Sequence, residues 1–389
     1  KDMIAIPGLP PLSSHLKLEL NPPPVEMGGE GEVIDTRAKE VFEFASGAAK
    51  KIVPLADGGA AVLSTDGQIV FCDRDWKRRG ELAVSVPIHD ADADSERLYV
   101  GHGAASLSAI NLADGSMAWN RVIERIPSSC SWWEWLTPAI LRVVAARPQS
   151  GFDGVVVACG DIHARSFTAE GTCRWAVRYV NGIPGTIGLM DVNGDGSDEI
   201  ILGGEVMSNC AHCRVHNLWG ELLQELDVEG WTSRMTALAL AEGERKYAAF
   251  GVTRGKNLQF IEVGTDAGEP LKKLWVRRLP GTTTAIVIEA EAERLLVGNS
   301  MGLLLGFDFQ GEQQGRLALP SGIQGILRMK DDYLVGLEDG SAMIIRAGVE
   351  GRLHVAGTSA LQGNWAAAVQ MGDRILLPCE GRILAVPVV

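Results

Sequence analysis

The sequence predicts an all-β chain folded as a single β-propeller of four-stranded antiparallel blades, and three observations point there. Glycine fills 46 of 389 positions, where an ordinary chain carries roughly 7%. Such an excess without low complexity means many tight turns and therefore many short strands. Apolar runs of four to seven residues alternate with polar ones and are bounded by Asp-Gly, Glu-Gly and Asn-Gly, the pattern of antiparallel hairpins. A similar unit then recurs every 35–50 residues or so, the period of a four-stranded propeller blade.

Taken in order, residues 1–35 read as an arm over the surface. Pro7, Pro10, Pro11, Pro22, Pro23 and Pro24, followed by Gly28, Gly29 and Gly31, favour extended backbone that offers few N–H donors. A disordered leader is the alternative reading. The propeller is expected over residues 36–389. In the second unit Leu98-Tyr99-Val100-Gly101 precedes an apolar run at 106–112 and then Asp114-Gly115-Ser116-Met117-Ala118-Trp119. The third places Gly160 after an apolar run, then His163, then Glu170-Gly171-Thr172-Cys173-Arg174-Trp175. Ile200-Ile201-Leu202-Gly203-Gly204 opens the fourth, and Tyr333-Leu334-Val335-Gly336 the seventh.

Unit starts fall near residues 51, 84, 136, 182, 230, 280, 320 and 360, which predicts eight blades, with seven as the alternative. The last unit runs out after three strands, and the apolar stretch at 41–44 is left over at the other end. If that stretch supplies the missing outer strand, the ring is closed by an N-terminal strand and no sheet edge stays open there. Helical spacing is almost absent; residues 289–294 hold helix formers but are too few.

Charge excludes some partners. With 36 basic against 49 acidic residues, a net of −13, the chain lacks the basic face that nucleic-acid affinity needs. No apolar run reaches the ~18 residues of a membrane span. Seven cysteines leave at least one thiol without an intramolecular partner. A start at Lys1 suggests a trimmed chain, and the expected location is secreted or periplasmic.

The acidic-Gly-x-x-x-Trp endings of the second and third units, with Tyr99-Val100-Gly101 ahead of the first of them, resemble quinoprotein-type propeller repeats. That resemblance implies the fold, and it implies that Trp119, Trp175 and Trp275 pack between sheets. Many proteins with such repeats bind no quinone cofactor.

The sharpest motif is Asp191-Val192-Asn193-Gly194-Asp195-Gly196-Ser197-Asp198-Glu199. Oxygen donors at its positions 1, 3, 5 and 9, with a glycine at 6, suit a hard cation such as Ca²⁺. Leu202 stands where an EF-hand needs its bidentate Glu, and a strand pattern follows instead of a helix. The segment resembles the calcium loop of FG-GAP repeats. By that resemblance Asp191, Asn193, Asp195 and Glu199 are ligands, Ser197 offers its carbonyl, and the calcium is structural. An acidic turn capping a hairpin without metal is the alternative.

Weaker constellations remain. Cys210-Ala211-His212-Cys213 with His216 gathers soft donors but misses the c-type haem pattern, because Arg214 follows the second Cys. A local disulfide, free thiols and a metal site all stay open. Trp132, Trp133 and Trp135, with Trp231 and Trp365, lie in connections between units. Adjacent residues of a strand point to opposite sides, so this shelf suits stacking on a sugar ring or another flat partner, blade-to-blade packing plus a protein interface being the alternative. His163, Arg165, His216 and Arg234 are candidate catalytic residues if they converge on the central funnel. There a base and a cation serve β-elimination of an acidic glycan. Solvated positions that never meet are the other reading. The expected function is a non-catalytic ligand- or protein-binding propeller with a structural calcium loop. The alternative is a carbohydrate-active enzyme, a polysaccharide lyase or glycoside hydrolase.

Overall fold

The computed structural model describes residues 39–43, 48–127, 136–147, 150–179, 182–206, 213–226, 235–242, 245–252, 258–266, 269–348, 352–359, 361–379 and 381–387. These residues form eight four-stranded antiparallel sheets. In chain order their first strands open at Ala49, Ile88, Ile140, Gly182, Met235, Thr283, Ile323 and Val369. Most starts lie within a few residues of the sequence expectation. The eighth comes later because Trp365–Ala367 forms a 3-10 turn ahead of it. Seven blades are thereby excluded. In the eighth sheet the strand Lys39–Glu43 pairs antiparallel with Arg382–Pro387. The arm expected at 1–35 lies outside the described residues.

Each strand's composition follows its place in the blade. Second strands are sandwiched on both faces and read as continuous apolar runs: Val155–Cys159 is buried throughout, as is Ala60–Ser64. Fourth strands lie at the rim, so Met117–Val122 is exposed along most of its length. Between neighbouring sheets lie apolar layers such as Met190, Ile201, Val215, Phe250 and Ile261 at the seam of blades 4 and 5. Burial of this kind stabilises by about 25 cal/mol per Å² of apolar surface. The turns between first and second strands and between third and fourth strands share one face, here called lower. Second-to-third turns and the connections between blades form the upper face.

A second repeating device links the blades. Trp119, on the fourth strand of blade 2, reaches into blade 3, where its Nε1 donates to the Ala169 carbonyl at 2.7 Å. Trp175 does the same to Leu218 of blade 4 at 2.8 Å, and Trp275 to Phe309 of blade 6 at 3.0 Å. Each indole lies over the glycine of the receiving turn, Gly171, Gly220 or Gly311, all at positive φ. A Cβ on any of the three would come within about 3 Å of the ring, so only glycine admits it. Trp275 is buried and the other two are half-buried, which agrees with the packing role expected of all three.

The remaining seams are built differently. At 4/5, Gln224 exchanges two hydrogen bonds with the backbone of Leu271. At 7/8, Trp365 packs on Gly336 and donates to the Gly340 carbonyl at 2.7 Å. At 8/1 the tryptophan comes from the receiving turn itself. Trp76 takes a left-handed φ of 66° and packs against Leu376, Ile383 and Ala385. Seams 1/2, 6/7 and 7/8 carry glycine, Gly80, Gly315 and Gly357, at the register position that Trp119 holds in blade 2, and of these 7/8 is filled by Trp365.

Candidate cation loop and interaction surfaces

The loop at 191–199 is the lower turn between the first two strands of blade 4, Gly182–Met190 and Glu199–Val206. Backbone N–H groups of Gly194 and Gly196 point at the Asp191 carboxylate, and that of Ser197 at Asp195. Gly194 and Gly196 both hold positive φ, which lets the backbone curl around the acidic side chains. Asn193 donates to Asp195 Oδ2 at 3.1 Å and to Glu199 Oε1 at 3.0 Å, drawing those two carboxylates toward one point. Burial pushes the Glu199 carboxyl up to about 7, with the charges of Asp195 and Asp191 adding to it. Asp198 is 3% exposed, and its Oδ2 has no hydrogen-bond partner among the described residues.

The donor chemistry fits calcium: hard oxygens, several of them carboxylates, and one buried oxygen orphaned beside them. Their present arrangement is that of a loop satisfied from within. Lys246, from the second strand of blade 5, sits 3.0 Å from Asp191 Oδ2 and donates to the Asp191 carbonyl at 2.6 Å. Burial would raise the Asp191 carboxyl, but Lys246 and the Gly194 and Gly196 N–H groups hold it below its usual range. Among the described residues no three His, Cys, Asp or Glu side chains are gathered as a metal ion would need them. Lys246 was invisible to a motif search, because it belongs to the next blade.

Among the described residues the candidate catalytic set does not converge. His163 opens the third strand of blade 3 at the upper face, whereas His216 closes the third strand of blade 4 at the lower face. His216 faces the carbonyl of Gly220 through Nδ1 at 3.0 Å, and burial lowers its pKa. Arg165 is 3% exposed and locked onto Asp161 by two hydrogen bonds of 2.8 and 2.5 Å. It also reaches the Glu124 carbonyl at 3.3 Å, which ties the connection after blade 2 to blade 3. Burial alone would raise Asp161, but the bonds from Arg165 and His163 outweigh it and hold its carboxyl far below the usual range. Arg165 is therefore an internal brace and not a free funnel cation. Arg234 lies outside the described residues.

The aromatic shelf is likewise altered. Trp365 is 2% exposed and fills the 7/8 seam, so it is no ligand platform. Trp132, Trp133, Trp135 and Trp231 lie outside the described residues. Cys213 is a free, buried thiol, so no Cys210–Cys213 disulfide forms; Cys210 and His212 lie outside the described residues.

Two features escaped sequence reading. Trp219 is 76% exposed at the lower rim of blade 4, and Leu222 and Leu223 follow it on the outer strand at 46% and 42%. Trp219 stands one residue before the turn glycine, where its indole points outward instead of into a seam. The second is a cavity of about 590 Å³ at the lower face between blades 1 and 2.

No protein-family model matches the chain, and no curated protein matches it. Solved structures do. BamB from Moraxella catarrhalis is 13% identical, with a TM-score of 0.65 over 90% of this chain and 97% of that one. Sqt1 from Saccharomyces cerevisiae is 10% identical, with a TM-score of 0.68 over 90% and 98%. The computationally designed Ika8 protein gives 13%, 0.64, 90% and 100%. The chain is a β-propeller. At these identities the propeller likeness carries the fold alone, and no quinoprotein or FG-GAP family is shown by it.

Proposed function

We propose that this propeller is a non-catalytic binding scaffold whose partner is a protein, engaged at the rim of blade 4. The observation that carries the reading is three large apolar side chains exposed at one rim, Trp219 in the turn before the outer strand of blade 4 and Leu222 and Leu223 at the start of that strand. Large apolar side chains exposed in one region mark interaction sites, and tryptophan is enriched among residues that dominate binding energy. The outer strand also presents a free sheet edge beside the patch. A photo-crosslinker at Leu223 should capture a defined partner, and Trp219→Ala should abolish the capture while a crosslinker at Lys272, on another rim, stays silent. Equal capture from both rims would refute the reading.

Calcium belongs to this proposal as a structural ion held by Asp191, Asn193, Asp195, the Ser197 carbonyl and Glu199. It would neutralise the carboxylates of the loop and take over the role that Lys246 now fills for Asp191. The alternative reading, a lyase or glycoside hydrolase acting on an acidic glycan, now rests on Trp132, Trp133, Trp135, Trp231 and Arg234. A panel of uronate-containing glycans assayed for ultraviolet-absorbing products decides its lyase form.

A further inference from the structure

Three seams show what a cradle on the lower face of this ring accepts. In each, an indole donates to the carbonyl two residues before a left-handed glycine and lies over that glycine. At seams 2/3 and 5/6 an arginine two residues after the tryptophan adds a bond to the glycine carbonyl, Arg121 to Gly171 at 3.2 Å and Arg277 to Gly311 at 2.9 Å. Seam 1/2 has the same receiving turn, Ala113-Asp114-Gly115, with Gly115 at a φ of 72°. What it lacks is the indole. Strand pairing sets Gly80 opposite Phe71 just after the bulge, as Trp119 stands opposite Ala109 and Trp275 opposite Phe260.

The vacancy is real space. A Cβ at Gly80 or at Gly115 meets nothing within 4 Å. The cavity here is about 590 Å³ in one piece, whereas the filled seam 5/6 keeps two smaller depressions, about 370 Å³ beside Trp275 and about 280 Å³ beside Arg277 and Gly311. Gly315, the matching glycine at seam 6/7, is itself buried, so that position offers no such opening. The walls of the 1/2 cavity carry Asp57, Glu96 and Asp114 against the single cation Arg79. Arg79 is already paired with Asp57 at 2.5 Å, which leaves two carboxylates for an incoming positive charge.

The geometry points to seam 1/2 as a docking cradle for a partner segment carrying a tryptophan with an arginine two residues on. The indole takes the place that Gly80 leaves empty and donates to the Ala113 carbonyl. The guanidinium meets the Gly115 carbonyl and the Glu96–Asp114 wall. This deepens the binding-scaffold reading and rests on it, but at a surface separate from the blade 4 patch.

The test uses the full chain and a labelled hexapeptide copying residues 117–122, Met-Ala-Trp-Asn-Arg-Val, the strand segment that fills seam 2/3. Saturable binding is expected, weakened at least tenfold when the peptide's tryptophan becomes alanine. Gly80→Trp, which fills the cradle from within, should weaken it as much and raise the melting temperature. Glu96→Lys, an exposed change, should weaken it several-fold and flatten its dependence on salt. Trp219→Ala should leave it unchanged. Absence of saturation up to about 1 mM peptide, a bound of roughly −4 kcal/mol, would overturn the cradle, as would equal affinity for the alanine peptide. Should Gly80→Trp fail to fold, Glu96→Lys and the alanine peptide still decide. Crosslinking through Leu223 with a silent peptide would sink the cradle and leave the blade 4 reading standing.

Discussion

At the upper end of blade 3, Asp161 and Arg165 are 2% and 3% exposed and meet in two parallel hydrogen bonds. At the lower end of blade 4, Asp191 and Lys246 are 21% and 26% exposed and touch at 3.0 Å. Both are acid–base pairs at strand ends, and both lie near residues that sequence reading marked as functional. Their surroundings separate them. The guanidinium fork fits a carboxylate and is sealed from water, so neither partner can leave without stranding a buried charge. The ammonium is a single hydrated point charge that another cation can replace. Burial therefore decides that one cluster is a brace and the other a candidate exchange site.

The largest effect should come from breaking the brace. Arg165→Ala leaves Asp161 buried with only His163 beside it, so chemical denaturation should register a loss of about 3–5 kcal/mol. The same pair sets an acid limit. Because the folded Asp161 carboxyl lies below its unfolded value, its contribution is complete above about pH 4, the ordinary range of Asp, and is lost as pH falls further toward the folded value. Asp161→Asn should be less stable at neutral pH and show a shallower decline below about pH 4. An unchanged acid limb would mean the pair is not responsible for it.

The exchange site should give the next largest effect. Free calcium at one hundred times its dissociation constant stabilises a folded-state site by about 2.7 kcal/mol. Chelator should lower the melting temperature of the parent and scarcely move that of Asp195→Ala. Equal sensitivity in both proteins would remove calcium from the loop. The smallest effect sharpens the contrast. Lys246→Gln should cost less than about 1 kcal/mol without calcium, since the pair is partly solvated. It should also tighten calcium binding by removing the competing charge. Weaker binding in that variant would make Lys246 a support of the site instead of a rival.

Much of the ring was legible because its phase is written in residues with few alternatives. Asp114-Gly115, Glu170-Gly171 and Gln310-Gly311 each mark a turn that only a left-handed residue completes. Trp119 and Trp175 then mark the strands after the first two of those turns, and Trp275 the outer strand of the blade ahead of the third. The site was less legible, since a strand's direction decides which face its ends reach. His163 and His216 occupy third strands of adjacent blades, but one begins its strand and the other ends it. Their imidazoles consequently lie on opposite faces. Neither Asp161's hold on Arg165 nor Lys246's approach to Asp191 has a sequence signature, because the first depends on burial and the second on the neighbouring blade. Gly80 became informative only when the bulge fixed its register against Phe71.

The uneven seams also divide the ring into mechanical units. From blade 2 to blade 6 every joint is riveted, by Trp119, Trp175, Gln224 and Trp275 in turn. Blades 7, 8 and 1 form a second riveted arc through Trp365 and Trp76. The two arcs meet at the joints where Gly80 and Gly315 stand in the rivet position. Those two joints are held by other means: Lys51 reaches Asp90 at 2.5 Å across seam 1/2, and Arg328 reaches Glu289 at 3.1 Å across seam 6/7. Both strands of the pair Lys39–Glu43 and Arg382–Pro387 belong to the three-blade arc, so a pull on those two strands loads the Trp365 and Trp76 joints first.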